Sequence, residues 1–274
     1  MCGFMLIDIL TALAVVLSVG ILFGVLLALF IHFFGAEEDE RVKEIRDALP
    51  GINCGSCGFK GCNDYAEALA RGEAKPNLCT PGAEAVANKL GEILGVTVDT
   101  AEANVAFVHC NGSCEASNDK AVVDGIDSCK ARAMTYAGQK QCIYGCLGCG
   151  DCASVCTSNA IKIENGIAVV DKNLCVGCGM CASECPKKLI TMIPKKARVA
   201  VCCASKDKGA DARKACDNAC IGCKKCERAC PLGAITVTDN CARIDYEKCK
   251  GCGLCVKECP TGCLIKMNKV VLTV

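Results

Sequence analysis

Four stretches of eleven residues share one spelling: CLGCGDCASVC at 146–156, CVGCGMCASEC at 175–185, CIGCKKCERAC at 220–230 and CKGCGLCVKEC at 249–259. Each reads C-x2-C-x2-C-x3-C, and proline follows three of them, at Pro186, Pro231 and Pro260, with Thr157 in the remaining place. Cys142 and Cys216, Cys146 and Cys220, Cys175 and Cys249, and Cys185 and Cys259 all lie 74 residues apart. The same offset relates AIKIENGIAVVD, from Ala160, to AITVTDNCARID, from Ala234. The chain therefore contains one module written twice, each copy holding two runs and one hairpin. Asn165-Gly166 supplies a favoured two-residue turn for the first hairpin. The offset also sets Cys129 against Cys203, and it leaves Cys110 and Cys114 without a cysteine counterpart.

This spacing is a ligand pattern for paired [4Fe-4S] clusters, in which three thiolates of a run hold one cluster and the fourth reaches the neighbouring one. It assigns Cys146, Cys149, Cys152 and Cys185 to one cluster and Cys156, Cys175, Cys178 and Cys181 to its partner. The second module repeats the scheme with Cys220, Cys223, Cys226 and Cys259, then Cys230, Cys249, Cys252 and Cys255. Interleaved ligands force the two clusters of a module close together. Two such pairs suit one-electron transfer over a distance better than mere stapling of the fold.

Composition agrees. Among 274 residues there are 30 cysteines and no tryptophan, and the 52% hydrophobic count includes those cysteines, so an ordinary apolar core is not available. A secreted disulfide scaffold is the competing reading of so many thiols. The ligand spacing, the chain length and the want of a cleavable signal pattern all argue for a reducing compartment instead.

From Ile9 to Ile31 there are 23 residues without a charged side chain, about 35 Å of helix at 1.5 Å per residue, against a hydrocarbon core of about 30 Å. A transmembrane anchor is expected. No basic residue precedes it, whereas Arg41, Lys43 and Arg46 follow, which places the remainder on the cytoplasmic side of the cell membrane.

Cys54, Cys57, Cys62 and Cys79 form a further four-thiol set, surrounded by glycines at 51, 55, 58 and 61. Spacing alone admits zinc or a cluster, and the four neighbouring runs favour a cluster. Residues 83–94 have helical periodicity, and 105–108 read as a short buried strand. Cys110, Cys114, Cys129 and Cys142 either hold a sixth cluster or are ordinary buried thiols. Cys142, four residues before Cys146, is also a substitute ligand for Cys149. Cys202, Cys203, Cys216, Cys241 and Cys263 have no assigned role.

Charge divides along the chain. Residues 35–185 carry 13 Lys and Arg against 21 Asp and Glu, while residues 186–274 carry 18 against 8, a net of +10. Two oxidised clusters with their thiolates, at about −2 each, leave the second module basic. A basic surface around electron carriers attracts an acidic partner and speeds encounter. Nucleic-acid binding has no aromatic interleaving to support it, and the expected anchor argues against it. No nicotinamide, phosphate-loop or H-E-x-x-H motif is present, and His32 and His109 are the only histidines, so no catalytic residue is assigned and the terminal chemistry belongs to other subunits.

The segment LPGINCGSCGFKGCNDYAEALARGEAKPNLCTPG at 49–82, then VAFVHCNGSC at 105–114, then the ferredoxin-type runs, all behind one N-terminal apolar helix, resemble the B subunit of the Rnf complex. The resemblance implies a subunit of a membrane-bound ferredoxin:NAD+ oxidoreductase coupled to Na+ or H+ translocation. It implies soluble ferredoxin as electron donor, with membrane-embedded and NAD-binding subunits as partners. By the same resemblance Cys54, Cys57, Cys62 and Cys79 hold the membrane-proximal cluster, and many relatives have a single ferredoxin pair. The fold expected is α+β and built of small iron-sulfur modules. It comprises an anchor at 1–35, a four-cysteine [4Fe-4S] domain at 36–82 and an intermediate α/β segment at 83–141. A first two-cluster ferredoxin module follows at 142–193, then a basic linker at 194–215 and a second module at 216–274. Five [4Fe-4S] clusters are expected, six if the additional set is loaded. Three other readings stand beside this one: a polyferredoxin-type subunit of another membrane redox enzyme, a corrinoid- or flavin-binding subunit, and a zinc-binding interaction protein.

Overall fold

The computed structural model describes residues 2–34, 39–98 and 103–267, and it resolves into two units, Met1–Lys43 and Glu44–Val274. The first unit is dominated by α1 (Cys2–Phe34). Within it, Leu13–Phe30 has a mean hydropathy of 2.9, so this helix is long and apolar enough to cross a membrane. Its one hydroxyl here is internally satisfied, with Ser18 Oγ donating to the Val15 carbonyl at 2.9 Å.

The second unit begins within α2 (Glu40–Ala48), followed by α3 (Cys62–Ala70) and α4 (Ala83–Leu94). The helix expected at 83–94 is α4, and it stops where Gly95 turns left-handed, at φ 70°. Ile45, Tyr65, Leu69 and Leu90 are the large, fully buried side chains of these three helices.

Beyond this lie the two modules. In the first, β1 (Asn104–Val108) pairs antiparallel with β4 (Ile190–Pro194), and β2 (Ile161–Glu164) forms the expected hairpin with β3 (Ile167–Val170). Asn165 and Gly166 both take positive φ, 47° and 74°, as that two-residue turn requires. Short helices α5 (Cys129–Met134), α6 (Asp151–Ser154) and α7 (Met180–Glu184) complete it. In the second, β5 (Val199–Val201) and α8 (Gly209–Ala215) lead to α9 (Lys225–Arg228), the hairpin β6 (Ile235–Thr238) and β7 (Cys241–Ile244), α10 (Leu254–Lys257) and β8 (Leu264–Lys266). β5 pairs antiparallel with β8.

Each module thus takes its first strand from chain that precedes the first cysteine run. The stretch expected as a basic linker, 194–215, carries β5 and α8, because Val199 and Val201 are needed against Leu264 in the second core. Strand periodicity explains how the modules join. Ala106 and Val108 face the first module's core, while Val105 and Phe107 turn to the opposite side. There they meet Ala200, Cys202 and Met267, so the two sheets share one apolar layer.

The strand register also corrects the equivalences. Val108 pairs with Ile190 and Val201 with Leu264, and Ile190 and Leu264 are 74 residues apart. Val108 is therefore the counterpart of Val201, and Cys110, not Cys129, is the counterpart of Cys203. The backbone repeats this: His109 N–H donates to the Leu189 carbonyl at 2.8 Å, and Cys202 N–H to the Cys263 carbonyl at 2.7 Å. The constant offset fails here because 31 residues, 111–141, separate strand and module in the first copy, and only 12, 204–215, in the second.

One glycine in every run sits just before the second cysteine, and all four have positive φ: Gly148, Gly177, Gly222 and Gly251. At Gly148 a Cβ would also lie 2.7 Å from the Gly166 carbonyl oxygen, where the hairpin turn packs on the ligand loop. Gly179, at φ 76°, has open space around it. Gly179→Ala should carry only the backbone cost, about 1–2 kcal/mol, and Gly148→Ala that cost plus the clash. Warming the brown protein and following the loss of colour should show Gly148→Ala bleaching markedly faster than Gly179→Ala. Equal rates would contradict the close approach.

Candidate iron-sulfur sites

Four thiols collect at the start of α3. Cys62 is the first residue of that helix, and its N–H donates to Asn53 Oδ1 at 2.8 Å, which ties the Cys54 loop to the helix end. The Tyr65 hydroxyl donates to the Lys75 carbonyl at 2.6 Å and accepts from Leu78 N–H at 3.3 Å, pinning the loop that presents Cys79. Burial raises the Cys79 thiol, and the charges of Cys62, Cys54 and Cys57 add to the shift, so the four expected residues are electrostatic neighbours.

The module cysteines cross as the spacing requires. Cys146, Cys152 and Cys185 line one cavity together with Cys129, while Cys149 lies outside its lining and against Cys129. Cys181 is pushed up to about 11 by burial first and then by Cys175, Cys178 and Cys156. In the second module Cys220, Cys223, Cys226 and Cys259 line one cavity, and Cys230, Cys249, Cys252 and Cys255 another. Backbone donors point at the sulfur atoms: Ala160 N–H to Cys156 Sγ at 3.3 Å, Ala234 N–H to Cys230 Sγ at 3.3 Å, and Ala106 N–H to Cys175 Sγ at 3.4 Å. Such bonds favour the thiolate form a metal cluster requires.

These donor sets fit a cluster. They consist of thiols without carboxylates.

The additional set of Cys110, Cys114, Cys129 and Cys142 does not assemble. Cys114 is exposed beside the β2–β3 turn, its N–H donating to the Asn165 carbonyl at 3.0 Å. Cys129 is buried at the start of α5, its N–H held by Asp151 Oδ1 at 2.9 Å, and it lies against Cys149 and Cys152. Cys110 and Cys142 remain together, in a cavity they share with Cys203 and Cys216.

His109 is a satisfied core histidine, with Nδ1 donating to the Val201 carbonyl at 2.7 Å and Nε2 accepting from the Thr191 hydroxyl at 2.7 Å. Burial lowers its pKa, in keeping with a neutral ring. Cys241 and Cys263, unassigned from sequence, stand as protonated thiols beside the second module's sulfur atoms. Cys241 Sγ donates to the Cys203 carbonyl at 3.2 Å, and Cys263 Sγ approaches Cys259 Sγ at 3.7 Å, holding that thiol well below its usual range. The first module has Ile167 and Leu189 at those places, so hydrogen bonding to sulfur differs between the copies.

Most raised thiols, Cys152 at about 12 and Cys226 and Cys255 at about 11, owe the shift first to burial and then to neighbouring thiols. Below such a pKa the thiolate fraction grows about tenfold per pH unit, and ligation must expel the protons. Reconstitution of the iron-free chain with iron and sulfide should therefore accelerate at least tenfold between about pH 7 and about pH 9. A pH-independent rate would show that the thiols are already ionised.

Known families and proteins match these sites. A family model for an Fe-S cluster matches residues 49–81, a 4Fe-4S dicluster domain matches 145–189, and a 4Fe-4S binding domain matches 217–236 and 242–265. The B subunit of the Na(+)-translocating ferredoxin:NAD(+) oxidoreductase complex of Acetobacterium woodii is 41% identical over 231 residues, covering 84% of this chain and 69% of that protein. The B subunit of the proton-translocating ferredoxin:NAD(+) oxidoreductase complex of Clostridium ljungdahlii is 41% identical over 206 residues, 74% of this chain and 72% of that one. The B subunit of the ion-translocating oxidoreductase complex of Methanosarcina acetivorans is 40% identical over 239 residues, 87% and 90% respectively.

Proposed function

The chain belongs to the B-subunit family of the ion-translocating oxidoreductase complexes, and from that premise we propose how its own residues serve the electron transfer. It is an electron-transfer subunit of an ion-translocating ferredoxin:NAD+ oxidoreductase, carrying [4Fe-4S] binding domains and one apolar N-terminal helix, and it works with the other subunits of that complex. The two ferredoxin:NAD(+) relatives named above differ in coupling ion.

Five clusters are held, in our reading, by Cys54, Cys57, Cys62 and Cys79; by Cys146, Cys149, Cys152 and Cys185; by Cys156, Cys175, Cys178 and Cys181; by Cys220, Cys223, Cys226 and Cys259; and by Cys230, Cys249, Cys252 and Cys255. Each bound cluster supplies the capacity to accept and return one electron, at a potential set by exposure and by hydrogen bonds to its sulfur atoms. The domain limits follow the five sets, with β1 and β5 added to the module each completes.

The observation that carries this reading is the sequence of contacts within one compact unit. Cys178 feels the charge of Cys54 as well as of Cys156 and Cys175, so the Cys54 set adjoins the outer set of the first module. Cys152 feels both Cys185 and Cys181, which joins the two sets of that module. The last set in chain order is carried by the Cys249–Cys255 loop, where Cys252, Leu232 and Leu254 are exposed. Lys224, Lys225, Lys248 and Lys250 are exposed on that module, with Lys248 paired to Asp245 at 3.0 Å.

Soluble ferredoxin, an acidic carrier, docks at this basic end. The exit is the Cys54 set, which follows the apolar helix in sequence and faces the membrane partners and, through them, the NAD-binding subunit. Arg41, Lys43 and Arg46 put the unit on the cytoplasmic face.

Replacing Lys224, Lys225, Lys248 and Lys250 by Glu should lower ferredoxin-dependent reduction at least about tenfold at low salt and flatten its dependence on ionic strength. An unchanged rate and salt profile would place docking elsewhere.

A further inference from the structure

The corrected equivalences give Cys110 and Cys142 of the first module the same structural places as Cys203 and Cys216 of the second. The local bonding is duplicated as well. Cys110 Sγ accepts from Gly112 N–H at 3.5 Å and Cys146 N–H at 3.3 Å, while Cys203 Sγ accepts from Ser205 N–H at 3.5 Å and Cys220 N–H at 3.2 Å.

All four thiols line one cavity between the modules. A Cβ on Gly112 would lie 3.4 Å from Cys216 Sγ and 3.6 Å from Cys110 Sγ, so a thiol from each module faces the other across a glycine. The walls are fixed by bonds that cross between modules: Asp217 N–H to the Ala116 carbonyl at 2.8 Å, Ser117 Oγ to the Ala215 carbonyl at 2.8 Å, and Asn218 Nδ2 to the Asn111 carbonyl at 2.9 Å.

No carboxylate lines this cavity, and its one ionic side chain is Lys140, which is 3% exposed. Lys140 Nζ donates to the Gly112 carbonyl at 2.6 Å and the Gly166 carbonyl at 3.0 Å, so the ammonium is locked against the thiol wall. A buried cation beside four thiols, with no anion to match it, suits a site whose occupant is negative. Cys202 also lines the cavity, but it is the counterpart of His109 and so has no equivalent thiol in the other module.

We propose that Cys110, Cys142, Cys203 and Cys216 hold a sixth [4Fe-4S] cluster, shared equally by the two modules. The proposal rests on the cluster reading of the five other sets. It replaces Cys114 and Cys129, which belong to the first module's insertion. The site adjoins the innermost set of each module through a single residue step, Cys146 on one side and Cys220 on the other. It stands between the sets of the first module and those of the second. Each transfer across it moves one electron, the donor cluster being oxidised as the acceptor is reduced.

The test is iron and acid-labile sulfide analysis, with EPR, on the full-length chain purified without oxygen. The wild-type chain should carry about 24 iron atoms, four for each of six clusters. The Cys110→Ser/Cys216→Ser variant should lose one cluster's iron and one EPR component, and Cys114→Ser should lose neither. A wild-type count of about 20 iron atoms would overturn the proposal, as would full iron in the first variant or a four-iron loss in the second. If the first variant loses more than one cluster through misfolding, the wild-type count and the second variant decide. Near-absence of iron and sulfide in the wild-type chain would instead overturn the reading of all the sets.

Discussion

The fourth thiol of each run must reach the set of the other run, and this crossing is the constraint on which the two modules depend. Cys185 stands with Cys146 and Cys152, and Cys259 with Cys220, Cys223 and Cys226. Two distant pieces of chain are thereby fixed to one point, which a few short strands and helices of four or five residues could not do by apolar burial alone. The hairpins and paired strands cover the sets. Their small cores include ligand cysteines among the buried residues, such as Cys220, Cys226 and Cys255 in the second module.

Duplication adds a second level of order. The two strand pairs meet through Val105, Phe107, Ala200, Cys202 and Met267, and this contact brings equivalent edges of the two modules together. Whatever one module presents at that edge, the other presents too. Two thiols from each are enough to complete a four-thiol site, and its position between the modules follows from the repeat. The repeat is not uniform in chemistry, because Cys241 and Cys263 replace Ile167 and Leu189. Thiol hydrogen bonds next to Cys203 and Cys259 are therefore confined to the second module.

Much of this was legible in the sequence. The four runs, both hairpins, the strand within 104–108 and the helix at 83–94 follow from spacing, turn residues and periodicity. The pairing of β1 with β4 was not legible, since its partner lies more than 80 residues downstream and no local pattern encodes it. The equivalences of the extra cysteines are hidden in the sequence for a related reason. A fixed 74-residue offset cannot survive the longer connection at 111–141, so Cys129 was set against Cys203 by number alone. The usable signal was local: Val108-His109-Cys110 and Val201-Cys202-Cys203 both end a buried strand with V-x-C. The role of Lys140 had no sequence signal, because its burial depends on carbonyl groups from two separate loops, at Gly112 and Gly166.

In the proposed electron path the thiol sets form one continuous series from Cys54 to Cys252, each set adjoining the next. The most direct measurement is an EPR spectrum recorded at successive stages of reduction of the wild-type chain. A continuous series predicts simple signals when few clusters are reduced, giving way to broadened and split signals as adjacent clusters both become paramagnetic. Signals that grow in proportion to reduction and keep their shapes to the end would show isolated clusters, and would contradict the account.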